Sequence, residues 1–455
     1  MDRISRRGFL KGSVALGGAA ALGAGGFGAF SRLASAQANP DAPDRYYIFC
    51  YFNGGWDIML GLDPRDPRRF NNTNYRVTRI QPGYELLQSG DGQLRTAADG
   101  TIFGPHIGDL QRHFEAGHVS VIRGMSMDTL THEVGRRRFL TGKPPAGLQA
   151  RGSSGAVWLA SHLGEREPIP NLSLQVESYN KDQPGFATAL RVNSVPDLLR
   201  ALRPQEPLLP RAAARQVGAH LRDDADCPPA RASAFRRMAE QSRLKAADMV
   251  GSSLDGLFDF DARTPQMAEL RDHFGFARTD TSPEVQAAFA AQAIMGGVSR
   301  CASIEVAQGL DTHFDEWERE QGPRQERGFN AVSRLLERLD ATEYRDTGES
   351  WLAHTVVVGF SEFSRTSLLN DRGGRDHSLT NACFIGGGGI RGGRIIGRSS
   401  DVGLNPEKVD LRTGEASAEG EILRPEHVLR TLLEEIGLGD APDLRVPPVP
   451  ALMRA

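Results

Sequence analysis

Short, continuous apolar runs recur along the chain, and the first, YYIFCYF at residues 46–52, ends at an Asn-Gly-Gly break. Continuous rather than alternating hydrophobicity is typical of strands that are buried on both faces of a parallel sheet. The sequence therefore predicts a largely parallel central sheet. Five further runs fit the same description: Val119–Ile122, Leu172–Val176, Ala302–Ala307, Thr355–Phe360 and Ala382–Ile385.

Helical periodicity lies between these runs. Two sets of apolar residues each fall on one helical face, and strand–helix alternation of this kind predicts a doubly wound α/β domain. Residues from about 196 to 294 differ, because they are rich in Ala, Arg and Leu, are interrupted by proline and lack convincing strand patterns. We expect one domain over residues 37–455 with a helical insertion at about 196–294. The two helical sets are Phe329, Val332, Leu335, Leu336 and Leu339, and Val428, Leu429, Leu432, Leu433 and Ile436.

The first 36 residues have the features of a twin-arginine export signal. Arg6 and Arg7 precede Phe9-Leu10-Lys11, a charge-free stretch follows to Phe30, and ASA at residues 34–36 offers a cleavage site. The alternative is a retained membrane anchor, but the charge-free stretch is rich in glycine and would insert weakly. We therefore predict a periplasmic or secreted protein that engages the twin-arginine export machinery and keeps no stable membrane anchor after cleavage.

Charge and composition exclude several functional classes. The formal net charge is −3, and removing residues 1–36, with five basic residues and one acidic residue, changes it to about −7. No extended basic block is present, so a nucleic-acid partner is not expected. The four cysteines have no metal-type spacing, so any metal site would use other ligands.

Carboxylates and imidazoles follow several of the predicted strands. In open parallel sheets, ligands bind beyond the carboxyl ends of the strands, so these side chains are candidates for one shared site. Carboxylate and imidazole ligands without thiolates suit a hydrolytic site with two divalent cations. The candidate metal ligands are Asp57, His132, Asp311, His313, Glu362, Asp376 and His377.

Each candidate also has a structural explanation. Asp57 follows a Gly-Gly turn and could cap a helix. His132 could be a surface residue of a helix, and the Asp311-Thr312-His313 segment could be a capped turn. Similarly, Glu362 could pair with Arg365, and Asp376 could pair with Arg372 or Arg375. The convergence of these side chains is therefore a prediction that the tertiary structure must test.

Five segments resemble exported bacterial proteins of domain-of-unknown-function family 1501. They are FNGGWD at 52–57, DTH at 311–313, SEFSRT at 361–366, GGRDH at 373–377 and GGGIRGG at 387–393, of which the last two are the most specific. That family looks like a branch of the alkaline phosphatase and sulfatase superfamily. The resemblance implies an alkaline-phosphatase-like three-layer α/β sandwich and a binuclear metal site, but no established reaction.

Residues 131–142 (THEVGRRRFLTG) are similar to the sulfatase segment in which the nucleophile begins a helix ending in Leu-Thr-Gly. In that comparison His132 occupies the place of the nucleophile, Thr131 is the neighbouring hydroxyl, and Arg136 takes the place of the sulfatase arginine. Because position 132 carries neither Cys nor Ser, a formylglycine sulfatase is not expected. For a hydrolase of this kind, the resemblance implies Thr131 and Arg136 as catalytic residues, with either Thr131 or a metal-bound water attacking the ester, and Arg375 as a substrate-binding residue.

Two functions follow from these observations. The first is an exported metal-dependent hydrolase of phosphate or sulfate esters, which would act on a small anionic ester. The alternative is a non-catalytic exported protein of the same fold that acts in envelope assembly or partner binding, because the expected nucleophile is missing at position 132.

Overall fold

An eight-stranded sheet forms the centre of the molecule. The computed structural model describes residues 43–144, 146–203, 254–439 and 444–454, with isolated positions between 210 and 220; the export signal lies outside these residues. The sheet order is β8-β2-β7-β6-β1-β5-β3-β4. Its strands are β1 Tyr46–Phe52, β2 Val119–Ser126, β3 Asn171–Leu174, β4 Leu190–Val192, β5 Cys301–Ala307, β6 Thr355–Ser361, β7 Thr380–Gly387 and β8 Ile395–Ile396.

The sheet is mostly parallel, as predicted. β1 pairs in parallel with β5 and β6, while β3 pairs in parallel with β4 and β5. The exception is β7, which lies antiparallel between β2 and β6. The amino end of β7 therefore lies at the same edge of the sheet as the carboxyl ends of its neighbours.

Helices cover both faces of the sheet, which gives three layers. They are α1 Tyr75–Thr78, α2 Leu110–Glu115, α3 His132–Thr141, α4 Gly155–Leu163, α5 Val195–Leu202, α6 Pro265–Phe274, α7 Pro283–Met295, α8 Gly322–Ala341, α9 Trp351–His354 and α10 Pro425–Glu435. The buried side chains of β1 point alternately toward the two helical layers. Ile48 and Phe52 pack with residues of α7 and α8, whereas Tyr47 and Phe49 pack with residues of α3, α4 and α10. This double-sided burial explains the continuous apolar pattern of the strand.

The predicted helical insertion coincides only in part with described residues. Helices α5, α6 and α7 fall within or at the border of residues 196–294, whereas most of 204–253 lies outside the described part. Ten of the thirteen residues of α7 are buried, and this helix packs against β5 and α8. The carboxyl-terminal part of residues 196–294 therefore belongs to the helical layer that contains α8, and not to a separate insertion.

Within the described residues, three two-stranded pairings lie outside the central sheet. The pair that matters for the site joins Ser364–Arg365 to His377–Ser378 in antiparallel register, with His377 opposite Arg365. The others join Arg95–Thr96 to Ile102–Phe103 and Lys408–Val409 to Glu421–Ile422. Short 3-10 turns occur at Ile58–Leu60, Tyr84–Leu86, Gly185–Ala187, Leu254–Leu257 and Pro450–Leu452, and a π-helical turn at Trp317–Gln321 leads into α8.

Candidate metal centre

The polar segments that follow β1, β2, β5 and β6 meet at one edge of the sheet because these strands are parallel. Asp311 and His313 follow β5, Glu362 follows β6 directly, and His132 begins α3 after β2. His377 reaches the same edge in a different way, since it precedes the antiparallel strand β7. The topology thus assembles residues that are separated by up to 245 positions in the sequence.

Two glycines allow these segments to approach closely. Gly54 has a φ of +112°, and a Cβ atom there would lie 2.7 Å from the backbone nitrogen of Leu310. Gly135 lies in the first turns of α3, and a Cβ atom there would lie 2.4 Å from the carbonyl oxygen of Glu362. The side-chain carboxylate of Glu362 then accepts a hydrogen bond from the Gly54 backbone at 2.9 Å. Only glycine therefore allows the segment after β1 to approach Leu310, and helix α3 to approach Glu362, this closely.

Three imidazoles converge on one carboxylate oxygen. The Nε2 atoms of His132, His313 and His377 lie 3.3, 3.0 and 3.1 Å from Oδ1 of Asp311. The Nε2 atoms of His313 and His377 are 3.0 Å apart. The ligand atoms of His132, Asp311 and His377 all lie within 4.8 Å of one another. Asp311 is 47% exposed at its side chain, so the cluster is open to solvent.

The other nitrogen of each imidazole has a partner in the protein. Nδ1 of His132 lies 2.8 Å from the buried carboxylate of Glu362. Nδ1 of His313 lies 3.0 Å from Asp376, and Nδ1 of His377 lies 2.6 Å from the carbonyl oxygen of Leu130. A carbonyl can only accept, so the Leu130 contact leaves Nε2 of His377 with its lone pair available. Metal-binding histidines are commonly held in this way through their second ring nitrogen.

Charge pairing shifts the pKa of several of these groups. Burial favours the neutral carboxyl of Asp311, but the hydrogen bond from Arg365, the contact with His377 and the charge of Arg365 outweigh it and hold the pKa of Asp311 well below the usual range. For His377, burial is the dominant cause, and it lowers the pKa because it disfavours the charged imidazolium. For His132, burial is outweighed by the hydrogen bond and the charge of Glu362, which raise its pKa. The site therefore contains an ionised carboxylate among imidazoles with different proton affinities.

The donor set fits a divalent transition ion. Ligands of a four-coordinate ion with bonds of about 2.0–2.1 Å lie roughly 3.3 Å apart, close to the spacings around Asp311 Oδ1. Imidazole-rich sites with a carboxylate suit zinc or similar ions better than magnesium or calcium, which take mainly oxygen ligands. The arrangement could therefore hold one such ion through His132, His377 and Asp311, with His313 beside them.

Asp57 is not part of this cluster. It is fully buried, its carboxylate accepts hydrogen bonds from the Met59 backbone and the Trp317 indole, and it forms an ion pair of 3.0 Å with Arg375. Asp57 therefore caps the short turn Ile58–Leu60, which is the structural alternative that the sequence left open.

Arg375, predicted as a substrate-binding residue, is also fully buried. Besides its ion pair with Asp57, its guanidinium donates to the carbonyl oxygens of Thr366, Gln81 and Pro82. Its partners are thus the buried Asp57 carboxylate and backbone carbonyl oxygens of the protein itself. A substrate therefore has no access to this guanidinium in the structure, and Arg375 braces the loop that carries Asp376 and His377.

The remaining predicted residues surround the cluster. Glu362 is fully buried, and its carboxylate is engaged by His132, the Gly54 backbone and the Ser361 hydroxyl, so it orients His132. Thr131 is the exposed N-cap residue of α3. Arg136 lies one helical turn after His132, is half-buried and has its guanidinium 3.5 Å from Glu177.

Arg365 is a member of the cluster that the sequence did not predict. Its buried guanidinium lies 2.7 Å from Oδ1 of Asp311 and also donates to the carbonyl oxygen of Gly55. The pairing of Arg365 with His377 places it there. The available signal was its position in the SEFSRT segment, although the sequence suggested Glu362 as its partner.

A comparison with known families matches residues 47–416 to the family described as "Protein of unknown function (DUF1501)". The chain belongs to this family. Residues 3–23 match the twin-arginine translocation pathway signal sequence, so the protein uses that machinery for export to the periplasm or the exterior. No helix in the described residues is long and apolar enough to cross a membrane. No curated protein matches the sequence.

Two solved structures are similar over most of their length. The PH0037 protein from Pyrococcus horikoshii shares 10% identity, with 87% of this chain and 98% of that chain covered and a TM-score of 0.32. A Bacteroides thetaiotaomicron structure (BT33494S-sulf), from work on the metabolism of multiple glycosaminoglycans, shares 11% identity, with 89% and 75% covered and a TM-score of 0.36. These scores are too low to transfer an activity to this chain.

Proposed function

We propose that the protein is an exported metal-dependent hydrolase of phosphate or sulfate esters. The observation that carries the proposal is the convergence of three imidazole Nε2 atoms on Asp311 Oδ1. Each imidazole is held through its other nitrogen, an arrangement that preorganises ligands for a cation. A site of this kind at the carboxyl edge of a parallel sheet is well placed for catalysis.

His132, His377 and Asp311 would hold the ion, with His313 next to them. This proposal differs from the two-cation site expected from the sequence, because Asp57 and Glu362 are occupied by other partners. When bound, a divalent ion would act as a Lewis acid toward the ester oxygens. Glu362 would then position His132 as a ligand, and Asp376 would hold His313 beside the ion.

Arg136, half-buried and one helical turn after His132, would bind the anionic ester group. Arg365 is fully buried beside Asp311, so it would add positive charge to the cluster without contacting the ester. Thr131 remains the candidate nucleophile within the protein, because it is exposed and directly precedes His132. Arg375 has no catalytic role in this proposal because it is buried against Asp57.

Metal analysis and turnover together test the proposal. We expect the purified protein to contain about one transition ion per chain and to hydrolyse 4-nitrophenyl phosphate or sulfate until a chelator is added. Asp311→Asn and His377→Ala should lose both metal and activity. His354→Gln is a matched control, because His354 precedes β6 at the opposite edge of the sheet and pairs with Glu349. Metal-free protein whose Asp311 and His377 variants behave like the wild type would refute the proposal.

A second candidate is the non-catalytic exported protein, and the Arg365–Asp311 contact favours it. A buried guanidinium 2.7 Å from the carboxylate balances its charge without any ion. This candidate predicts a stably folded protein without metal and without turnover on either ester. Turnover that disappears in Asp311→Asn but not in His354→Gln would exclude it.

A further inference from the structure

A cleft of about 370 Å³ opens beside the candidate metal centre. His313 belongs to both features, because it lines the cleft and its Nε2 atom lies 3.0 Å from Asp311 Oδ1. A ligand in the cleft would therefore lie directly next to the proposed cation. The other lining residues are Phe314, Asn370, Asp371, Arg372 and Asp376.

One wall of the cleft combines an exposed aromatic ring with a cation. Phe314 is 48% exposed, which is unusual for so large an apolar residue in this protein. The guanidinium carbon of Arg372 lies 5.3 Å from the centre of the Phe314 ring. Within the described part of the chain, this guanidinium forms no ion pair with a carboxylate. The charge of Arg372 therefore remains available to an anionic ligand. The exposed Phe314 ring can in turn pack against the face of a ring in that ligand.

Hydrogen bonds of the Asn370 side chain fix the loop that carries Arg372 against the His313 segment. The side-chain oxygen of Asn370 accepts hydrogen bonds from the backbone nitrogens of Arg372 and Gly374, and its amide nitrogen donates to the carbonyl oxygen of His313. Gly374 packs so closely that a Cβ atom would lie 2.3 Å from the His313 carbonyl carbon. Preformed sites of this kind lose less entropy on binding.

The two carboxylates of the cleft differ in their availability. Asp376 is engaged by the imidazole of His313 and the amide of Asn370. Asp371 is exposed and has no ion pair within the described residues. Negative charge on a ligand would be repelled by Asp371 and attracted by Arg372, so the cleft distinguishes where that charge lies.

We propose that this cleft binds the alcohol part of the ester, and that it selects a six-membered ring carrying a second negative charge. The ring would lie against Phe314 and the second charge against Arg372, while the ester group faces the metal centre. This inference rests on the proposed function, and it adds the class of substrate. An aryl acid and an acidic sugar both have this chemistry, so the test includes both.

Binding measurements test the inference without requiring turnover. By titration calorimetry, the metal-loaded protein should bind 4-carboxyphenylphosphonate about tenfold more tightly than phenylphosphonate, or the non-hydrolysable 1-C-phosphonate of glucuronic acid about tenfold more tightly than the 1-C-phosphonate of glucose. Either preference supports the inference, and the pair that shows it identifies the kind of ring.

Arg372→Gln should abolish the preference, and Asp371→Asn should keep or strengthen it. Arg391→Gln is the matched control, because Arg391 is also exposed but follows β7 at the opposite edge of the sheet. Phe314→Ala should weaken all ring ligands but leave inorganic phosphate unchanged.

The inference would be overturned if ligands with and without the second negative charge bound equally well. It would also be overturned if Arg372→Gln kept the full preference for the second charge. The proposed function can fail separately. If the protein binds these ligands with the expected preference but hydrolyses no ester, the cleft is a binding site of a non-catalytic protein. If chelator-sensitive hydrolysis occurs without any preference, only the substrate class is wrong.

Discussion

Replacing Arg375 by methionine tests whether the Asp57–Arg375 pair is structural. Both side chains are fully buried, and their charged atoms are 3.0 Å apart. The substitution removes the counter-charge of Asp57 but preserves most of the side-chain volume. It also removes the donors for three backbone carbonyl oxygens, those of Thr366, Gln81 and Pro82.

The expected loss of stability is large. Removing one partner of a buried ion pair typically costs about 3–5 kcal/mol, because the other charge remains buried. Each buried carbonyl that loses its donor adds roughly 1–3 kcal/mol, although relaxation and water entry reduce this sum. Asp57 keeps its hydrogen bonds from Met59 and Trp317, so its own penalty lies at the lower end of the range. We expect a decrease of at least about 3 kcal/mol in the free energy of unfolding.

Urea unfolding followed by tryptophan fluorescence measures this quantity. The double variant Asp57→Asn with Arg375→Met should be less destabilised than the sum of the two single variants, because the pair interacts directly. Arg391→Gln, at an exposed position, should leave stability unchanged. If Arg375→Met unfolds like the wild type but raises the KM for an anionic ester, the structural assignment is wrong and the substrate-binding role is restored.

Three further predictions concern the surroundings of the site. Burial raises the pKa of Glu305 from 4.5 to about 7, so this carboxyl holds its proton more tightly in the folded protein than in the unfolded chain. Between pH 5 and 8 the wild type should therefore lose about 3 kcal/mol of stability relative to Glu305→Gln, measured by urea unfolding of both proteins at each pH; equal changes in the two would contradict this. Gly135→Ala should destabilise the protein by about 1–3 kcal/mol and weaken metal binding, because the added Cβ would lie 2.4 Å from the Glu362 carbonyl oxygen. This clash should outweigh the better helix propensity of alanine, and unchanged unfolding and metal titrations would contradict the prediction. Asp376→Asn should weaken metal binding by up to about tenfold, because it removes the charge that orients His313, which contacts the ligands Asp311 and His377. A loss equally large in Asp371→Asn would show that overall charge, not orientation, matters.

Local patterns were sufficient to predict the layered architecture. All six predicted strands are present, and the two helical patterns correspond to α8 and α10. Continuous burial on both faces leaves a signal in consecutive residues, as in β1. The direction of β7 left no such signal, since an antiparallel strand buried on both faces has the same apolar pattern as a parallel one.

The roles of individual polar residues were harder to predict. Asp57 and Asp311 both follow apolar strands, yet one is buried against Arg375 and the other faces three imidazoles. Their sequence contexts do not distinguish them, because the partners come from distant segments. Arg365 and Arg375 are separated by ten residues, and only the fold shows that one contacts Asp311 while the other contacts Asp57.

The amino-acid sequence by itself determined the export route, the family, and the alternation of buried strands and helices, because each is encoded in neighbouring residues. Only the tertiary structure decided which side chains share a site. Parallel strands bring their carboxyl ends to one edge, and the reversed strand β7 brings His377 to the same edge. The physical reason is that a contact such as His132–Asp311 depends on strand order and direction, which no local stretch of sequence specifies.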